Sequence, residues 1–496
     1  MEQVLTSLRE AGLGDAVYLA DDPRYNDRVS SYWSATARLR PWGIVQPRNT
    51  DEVATAVQAI VAVPDIKFAV RSGGHMHWAG ASSITDGITI DLGLMNGTTY
   101  DPDSGIASLQ PGGSWAASYK ELEKYGRLVA GGREGQVGIG GLLLGGGISY
   151  YTCRVGFACD QVINYEVVLA DGRIVNASKD KNSALFLALK GGGNNFGIVT
   201  RFDMVTFPAQ DIRNSTITCR KETGRQVAEA LVDFTKNLNA QPDDHLLAIW
   251  WHVPKAKEYN IILDLMNLDG DEAPKTHAKF NAIPSERHDF TASVSRKLEY
   301  LVDFSGKQDT WYTLTFKADI RIVLKAVQLF EAMIDTMKDS IPDANFSHQL
   351  VFQPVPACFR ERSLERGTNM LGLEHIADDC IQFVWAVEVE TVELNETLVA
   401  PLLKKVVGEI EAYARSIGAH SDFLYLNYCD PTQDPIRAYG ERNVGMMKDV
   451  AARRWIRRVE LSQEAKQPAS PNDTIQPAYY VPSPNNPSTP GSTPPC

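Results

Sequence analysis

Arg71-Ser72-Gly73-Gly74-His75-Met76-His77-Trp78 is the stretch on which the reading of this 496-residue chain turns. Two adjacent glycines admit backbone conformations closed to other residues, so successive N–H groups can converge on a phosphate oxygen while the chain turns. An imidazole then follows beside whatever that phosphate anchors. Residues 66–70 (Ile-Lys-Phe-Ala-Val) have the composition of a strand, which sets the glycine turn at a strand end. Before them, Val53, Ala56, Val57, Ile60 and Val61 recur at helical spacing, with Thr50 or Asp51 as the expected cap. Helix, strand and glycine turn make a compact α/β unit with the geometry of a cofactor loop.

Working outward, short strands are expected at 88–92 and 106–110. A second turn follows at Pro111-Gly112-Gly113, and Ser114 caps a helix that runs to about 125. Residues 131–147 (GGREGQVGIGGLLLGGG) are the densest glycine region. They are too glycine-rich for an ordinary helix and too regularly interleaved with apolar residues for a linker, so turns against a flat ligand are expected. Asp171-Gly172 closes a hairpin between 165–170 and 173–177. A short helix over 182–190 leads through Gly191-Gly192-Gly193-Asn194-Asn195-Phe196-Gly197 into a strand over 198–207.

From about 210 to 420 glycine becomes sparse, and strand-like runs (246–253, 259–266, 381–390) accompany amphipathic helices at about 317–338 and 396–416. That texture predicts a sheet with helices on one face. Trp250, Trp251 and Trp385 could wall a substrate site, although burial in the core is the commoner place for any one of them, and Glu388 and Glu390 share one strand face. Tyr425-Leu426-Asn427-Tyr428-Cys429-Asp430 returns to aromatic and polar character, followed by a helix over about 437–455. Residues 464–496 are a low-complexity, proline-rich tail.

With 44% hydrophobic residues the chain can bury a large core divided into two or three domains. A net charge of −12 and the lack of a dense Lys/Arg block oppose nucleic-acid and anionic-membrane partners and favour a small molecule. No apolar run reaches transmembrane length, and the start of the chain lacks a secretory pattern, so a cytoplasmic protein is expected. Seven scattered cysteines without Cys-x-x-Cys spacing predict mostly reduced thiols. His75 and His77 lack a partnered Cys or acidic set, so no metal site is expected. The glycine clusters contain no G-x-G-x-x-G, Walker, His-Glu-x-x-His or Gly-x-Ser-x-Gly spacing, which disfavours nicotinamide, ATPase, zinc-protease and α/β-hydrolase readings.

Arg71-Ser72-Gly73-Gly74-His75, Thr85-Asp86-Gly87-Ile88-Thr89-Ile90-Asp91-Leu92, Met95-Asn96, the glycine block, Gly156-Phe157-Ala158-Cys159-Asp160 and Gly193-Asn194-Asn195-Phe196-Gly197-Ile198-Val199-Thr200 occur in that order. As an ordered set they resemble the flavin-binding domain of the berberine bridge enzyme-like and 6-hydroxy-D-nicotine oxidase-like flavoproteins, of the vanillyl-alcohol oxidase fold. The resemblance is strong over about 30–210 and weaker at Asn427-Tyr428-x-Asp430.

The resemblance implies an α+β protein. A two-subdomain PCMH-type FAD-binding domain would span 1–209 (core 37–208), and an antiparallel-sheet substrate domain with helices on one face would span 210–420. A segment over 421–463 would return to the FAD domain, with the tail at 464–496. It implies FAD held at Arg71, Ser72, Gly73, Gly74, His75, Met76, Pro111, Gly112, Gly132, Val137, Gly138, Gly141, Gly147, Val199 and Asn427, bonded covalently through His75. Relatives with a second link carry it on the cysteine of Cys-x-x-Val-Gly. Glu134-Gly135-Gln136-Val137-Gly138 stands here instead, so a single attachment is expected. Valine at 137 resembles relatives that admit oxygen to the flavin, and Val155 replaces a tyrosine proposed as base in plant relatives. Tyr428, and after it Tyr425, are the candidate catalytic bases.

The expected activity is a FAD-dependent oxidase taking hydride from a small secondary-metabolite-type substrate, with dioxygen reduced to hydrogen peroxide and oxidative cyclisation as a further outcome. The alternatives are a non-redox cyclase that uses FAD as scaffold, and a carbohydrate oxidase.

Overall fold

The computed structural model describes residues 1–299 and 306–455. The low-complexity tail, Cys496 and the end of the expected C-terminal segment lie outside the described residues.

A four-stranded sheet is built from Val17–Tyr18, Gly43–Val45, Ile88–Asp91 and Phe68–Arg71 in that spatial order, the last three strands parallel. The helix Thr50–Val61 packs Val53, Val57 and Ile60 into a core with Phe68, Ile88 and Ile90. Its cap differs from expectation. Asn49, with extended backbone, accepts the Glu52 N–H at 2.9 Å, and Thr50 already lies inside the helix. A second, antiparallel sheet runs Thr98–Asp101, Ile106–Leu109, Ile198–Val205, Val162–Val168, Ile174–Ser178. Ser114 caps Trp115–Glu123 as expected. Within the glycine block, however, Ile139–Leu144 forms a short helix, because its isoleucine and leucines supply enough anchoring for one and a half turns.

The third sheet has eight antiparallel strands: Ser285–Ala292, Ile212–Arg220, Asn260–Asn267, Asp244–His252, Ser347–Val355, Cys380–Val389, Gln308–Lys317 and His420–Ser421. Helices Gly224–Asn237, Ile320–Ser340 and Ala400–Ser416 pack together on one face. Strand alternation divides the tryptophans. Trp250 and Trp385 are fully buried on the helix-covered side, against Phe352 and Phe330 respectively, and do not wall a substrate site. Trp251 points the other way and is partly exposed.

Cys153 and Cys358 form a disulfide across 205 residues, which corrects the expectation of reduced thiols for this pair. Sequence spacing gave no sign of it. The two meet because helix Thr152–Val155 packs against helix Ala357–Glu365. Cys159, Cys219, Cys380 and Cys429 are buried free thiols. Replacing both bridged cysteines by serine is expected to cost about 2–5 kcal/mol of stability. Denaturant unfolding of the double variant checks this, and reductant should shift the wild-type protein by a similar amount. Among the described residues no helix is long and apolar enough to cross a membrane.

Candidate active site

The loop 71–76 leaves the small sheet at the carboxyl end of Phe68–Arg71, the usual position for a ligand loop in parallel sheets. Arg71 braces it from behind. Its guanidinium donates to the Arg28 carbonyl and, at 3.0 Å, to the Ser31 carbonyl, lies 3.8 Å over the Tyr32 ring, and faces Asp91 at 3.7 Å. The Arg71 side chain is thus committed to the scaffold. Gly74 has φ +70°, and a Cβ there would meet the Arg71 guanidinium at 2.7 Å.

Gly73 and Gly138 touch back to back. A Cβ on either would come within 2.6 Å of the other's Cα, so only glycine lets the two loops meet. Ser72 Oγ donates to the Pro111 carbonyl and accepts the Gly140 N–H at 3.2 Å, while the Gly112 N–H donates to the Met95 carbonyl at 2.8 Å. Three loops are therefore laced into one cradle. Gly141 is exposed on it and a Cβ there would meet nothing within 4 Å. Gly132 lies under the Trp115 indole, and Met76 and Val137 are half-buried. Gly147 (φ +86°) donates its N–H toward residue 425, and Val199 is buried in its strand opposite Val167.

His75 stacks on Trp33 with centroids 4.8 Å apart and planes 19° apart, and its Nε2 lies 3.5 Å from Glu134 Oε2. Trp33 meets Trp311 edge-on, and Trp311 stacks on His77 at 4.7 Å, carrying the contact onto the large sheet. His77 is fully buried with neither ring nitrogen hydrogen-bonded among the described residues. Burial pushes its pKa down to about 3, so the ring is neutral.

The two candidate tyrosines have different surroundings. Tyr425 is buried, and its hydroxyl accepts N–H groups from Gly147 (3.0 Å), Ile148 (2.9 Å) and the Asn427 amide (2.9 Å). Burial raises its pKa, so it stays a protonated strut between the C-terminal segment and the glycine block. Asn427 also donates to the Leu142 carbonyl, in space that Gly145 leaves open. Tyr428 is half-buried and its oxygen accepts from Arg133 Nη2 at 2.8 Å. The segment is held on the sheet side by Gln433, whose amide accepts the Thr313 N–H at 3.1 Å and donates to the Thr313 carbonyl at 2.7 Å.

Arg133, His245, Gln353 and Gln382 were not singled out from the sequence. Arg133 Nη2 donates to Gln353 Oε1 at 2.7 Å, Gln353 donates to Gln382 at 2.6 Å, and Gln382 donates to Thr315 at 3.3 Å. The register aligns Gln353, Gln382 and Thr315 in one row across three strands. His245 Nε2 lies 3.3 Å from Arg133 Nη1. Because arginine only donates, Nε2 must be the accepting nitrogen, and burial keeps this ring neutral by driving its pKa well down. The only sequence signal for these residues is a polar side chain inside otherwise apolar strands, as in Leu350-Val351-Phe352-Gln353 and Ile381-Gln382-Phe383.

A FAD binding domain model matches residues 41–178, which contain all three loops of the cradle. The FAD-dependent monooxygenase drtC of Aspergillus calidoustus is 35% identical over 459 residues, covering 90% of this chain and 86% of that one. The chain belongs to the berberine bridge enzyme-like FAD-linked oxidoreductases. Two solved structures share the fold of this flavoenzyme: 6-hydroxy-D-nicotine oxidase of Arthrobacter nicotinovorans (TM-score 0.72, 21% identity, 89% of this chain and 95% of that one) and glucooligosaccharide oxidase of Acremonium strictum (TM-score 0.74, 20% identity, 92% and 97%). The residues present fit FAD. Glycines bare the backbone where two loops meet, Gly141 opens onto free space, and the imidazole of His75 stands at the cradle's rim.

Proposed function

We propose that this flavoenzyme is an oxidase that holds its FAD through one covalent bond, from His75. It takes hydride from a C–H bond next to nitrogen, oxygen or an activated ring of a small secondary-metabolite-type substrate. The observation that carries the reading is the turn at Arg133-Glu134. Arg133 reaches Tyr428 on the sheet side, and Glu134 reaches His75 on the cradle side, so one turn joins the proposed tether to the polar row of the large sheet.

When bound, FAD would supply the hydride acceptor and the route by which two electrons reach dioxygen to form hydrogen peroxide. Tyr428 accepts a proton from a substrate O–H or N–H as the hydride leaves. Arg133, a permanent cation, donates to the Tyr428 oxygen and holds it in place for that step. Gln353 and Gln382 fix the guanidinium in that pose, and neutral His245 supports it without competing charge. Glucooligosaccharide oxidase is described with a 6-S-cysteinyl, 8α-N1-histidyl FAD. A carboxylate at 134 cannot form a thioether, which supports a single, histidyl bond here.

Anaerobic mixing with a panel of amine, alcohol and phenol metabolites tests the reading. The expected result is loss of the oxidised flavin colour, and on admitting labelled dioxygen, peroxide in step with unlabelled product. Product forming while the flavin stays oxidised would identify a scaffolded cyclase. Label in the product would identify a monooxygenase, as the drtC relative is named. Peroxide released only with oligosaccharides would identify a carbohydrate oxidase.

A further inference from the structure

We propose that Glu134 is the proton acceptor for covalent attachment of FAD to His75, and that it holds the imidazole with Nε2 toward itself so that Nδ1 is the nucleophile. The inference rests on the histidyl tether proposed above and adds the residue that makes it form. Glu134 Oε2 lies 3.5 Å from His75 Nε2. The carboxylate is itself fixed, since Oε2 accepts the Gln136 N–H at 2.8 Å and the Val137 N–H at 2.9 Å. The imidazole plane is fixed by its stack on Trp33. The neighbouring cation is turned away, because Arg133 is engaged by Gln353 and Tyr428 on the opposite side. The other imidazole of the motif, His77, stacks on Trp311. A carboxylate thus meets the rear nitrogen of the imidazole, at the sequence position where doubly linked relatives carry the second bond.

The chemistry balances with dioxygen as oxidant. A bond forms between His75 Nδ1 and the carbon of the flavin 8-methyl group, and that carbon loses one proton. The imidazole loses its Nε2 proton to the Glu134 carboxylate. The two electrons left on the flavin pass to dioxygen, which takes up the two protons as hydrogen peroxide. A carboxylate on Nε2 raises the nucleophilicity of Nδ1 and offsets the positive charge that develops on the ring as the bond forms.

E134Q is the diagnostic variant, because glutamine keeps an oxygen to accept the two loop N–H groups but cannot take the proton. Each protein is sampled over time with added FAD. The readouts are the fraction of the His75 peptide that carries flavin after denaturation and, separately, the FAD retained by the native protein. E134Q is expected to bind FAD without attaching it, with attachment slowed about a hundredfold or more. E134D should recover part of the rate, and formate should accelerate attachment in E134A. Attachment in E134Q at the wild-type rate overturns the proposal. If E134Q fails to fold, the E134A comparison decides: an E134A protein that binds FAD and attaches it at the wild-type rate without formate also overturns it. A wild-type His75 peptide free of flavin overturns the tether and this proposal together, whereas equal attachment in wild type and E134Q overturns this proposal alone.

Discussion

Tyr428→Phe is expected to lower kcat by about 10²- to 10⁴-fold on substrates that lose an O–H or N–H proton, with FAD content and thermal stability unchanged. The variant deletes one oxygen, on the sheet side of the Arg133-Glu134 turn, that accepts from Arg133 Nη2 at 2.8 Å. Its ring still packs edge-on against Tyr425 at 4.9 Å, so the C-terminal segment keeps its place. Arg133→Lys should lose a large part of the same rate, since a lysine ammonium cannot hold the Gln353 oxygen and the Tyr428 oxygen with the fork geometry seen here. The check is a comparison of kcat and KM for one substrate that must lose a proton and one that need not. A loss confined to the first assigns Tyr428 to proton transfer. An equal loss on both assigns it to packing. Tyr425→Phe serves as the contrasting variant. Removing the oxygen leaves the buried N–H groups of Gly147 and Ile148 unpaired, while the Asn427 amide keeps the Leu142 carbonyl, so stability should fall by about 1–3 kcal/mol per orphaned group at most.

The second large effect concerns the two glycines that touch. Gly138→Ala is expected to cost about 1–3 kcal/mol and to empty the cradle of FAD, because its Cβ would stand 2.6 Å from the Gly73 Cα and only backbone could yield. Gly141→Ala separates cofactor exclusion from misfolding. A Cβ at 141 meets no protein atom within 4 Å and lies in the helix Ile139–Leu144. Stability of the apoprotein should be unchanged or higher by up to about 1 kcal/mol, while FAD retention falls. Flavin absorbance per chain and the melting temperature of each apoprotein distinguish the two variants. Loss of stability in Gly141→Ala, or full flavin content in Gly138→Ala, would contradict the cradle as described.

Residues that act through local chemistry were legible from the sequence. The glycine turn before His75 has a reading that depends only on its neighbours, and so do the Ser114 cap and the Asp171-Gly172 hairpin. The polar row was not legible, because Arg133, Gln353, Gln382 and Thr315 are separated by up to about 250 positions. They converge only through the pairing of Gln353 with Gln382 and of Gln382 with Thr315. The same reason hid the Cys153–Cys358 bridge, whose partners meet through helix packing rather than spacing. Strand Ser285–Ala292 escaped notice because it is polar and mostly exposed, an edge strand held on one side by Ile212–Arg220. For the tryptophans, burial in the core was the commoner expectation, and strand alternation decides which of them follow it. Trp250 and Trp385 each sit one pleat away from the face that carries the polar row, and alternation sends them into the helix-covered core.

The most direct test of the account is the mass of the proteolytic peptide containing His75, taken from protein denatured and washed free of loose cofactor. The account predicts that this peptide carries one FAD, that it keeps the yellow colour, and that no cysteine-containing peptide carries a second link. An unmodified His75 peptide from colourless protein would contradict it.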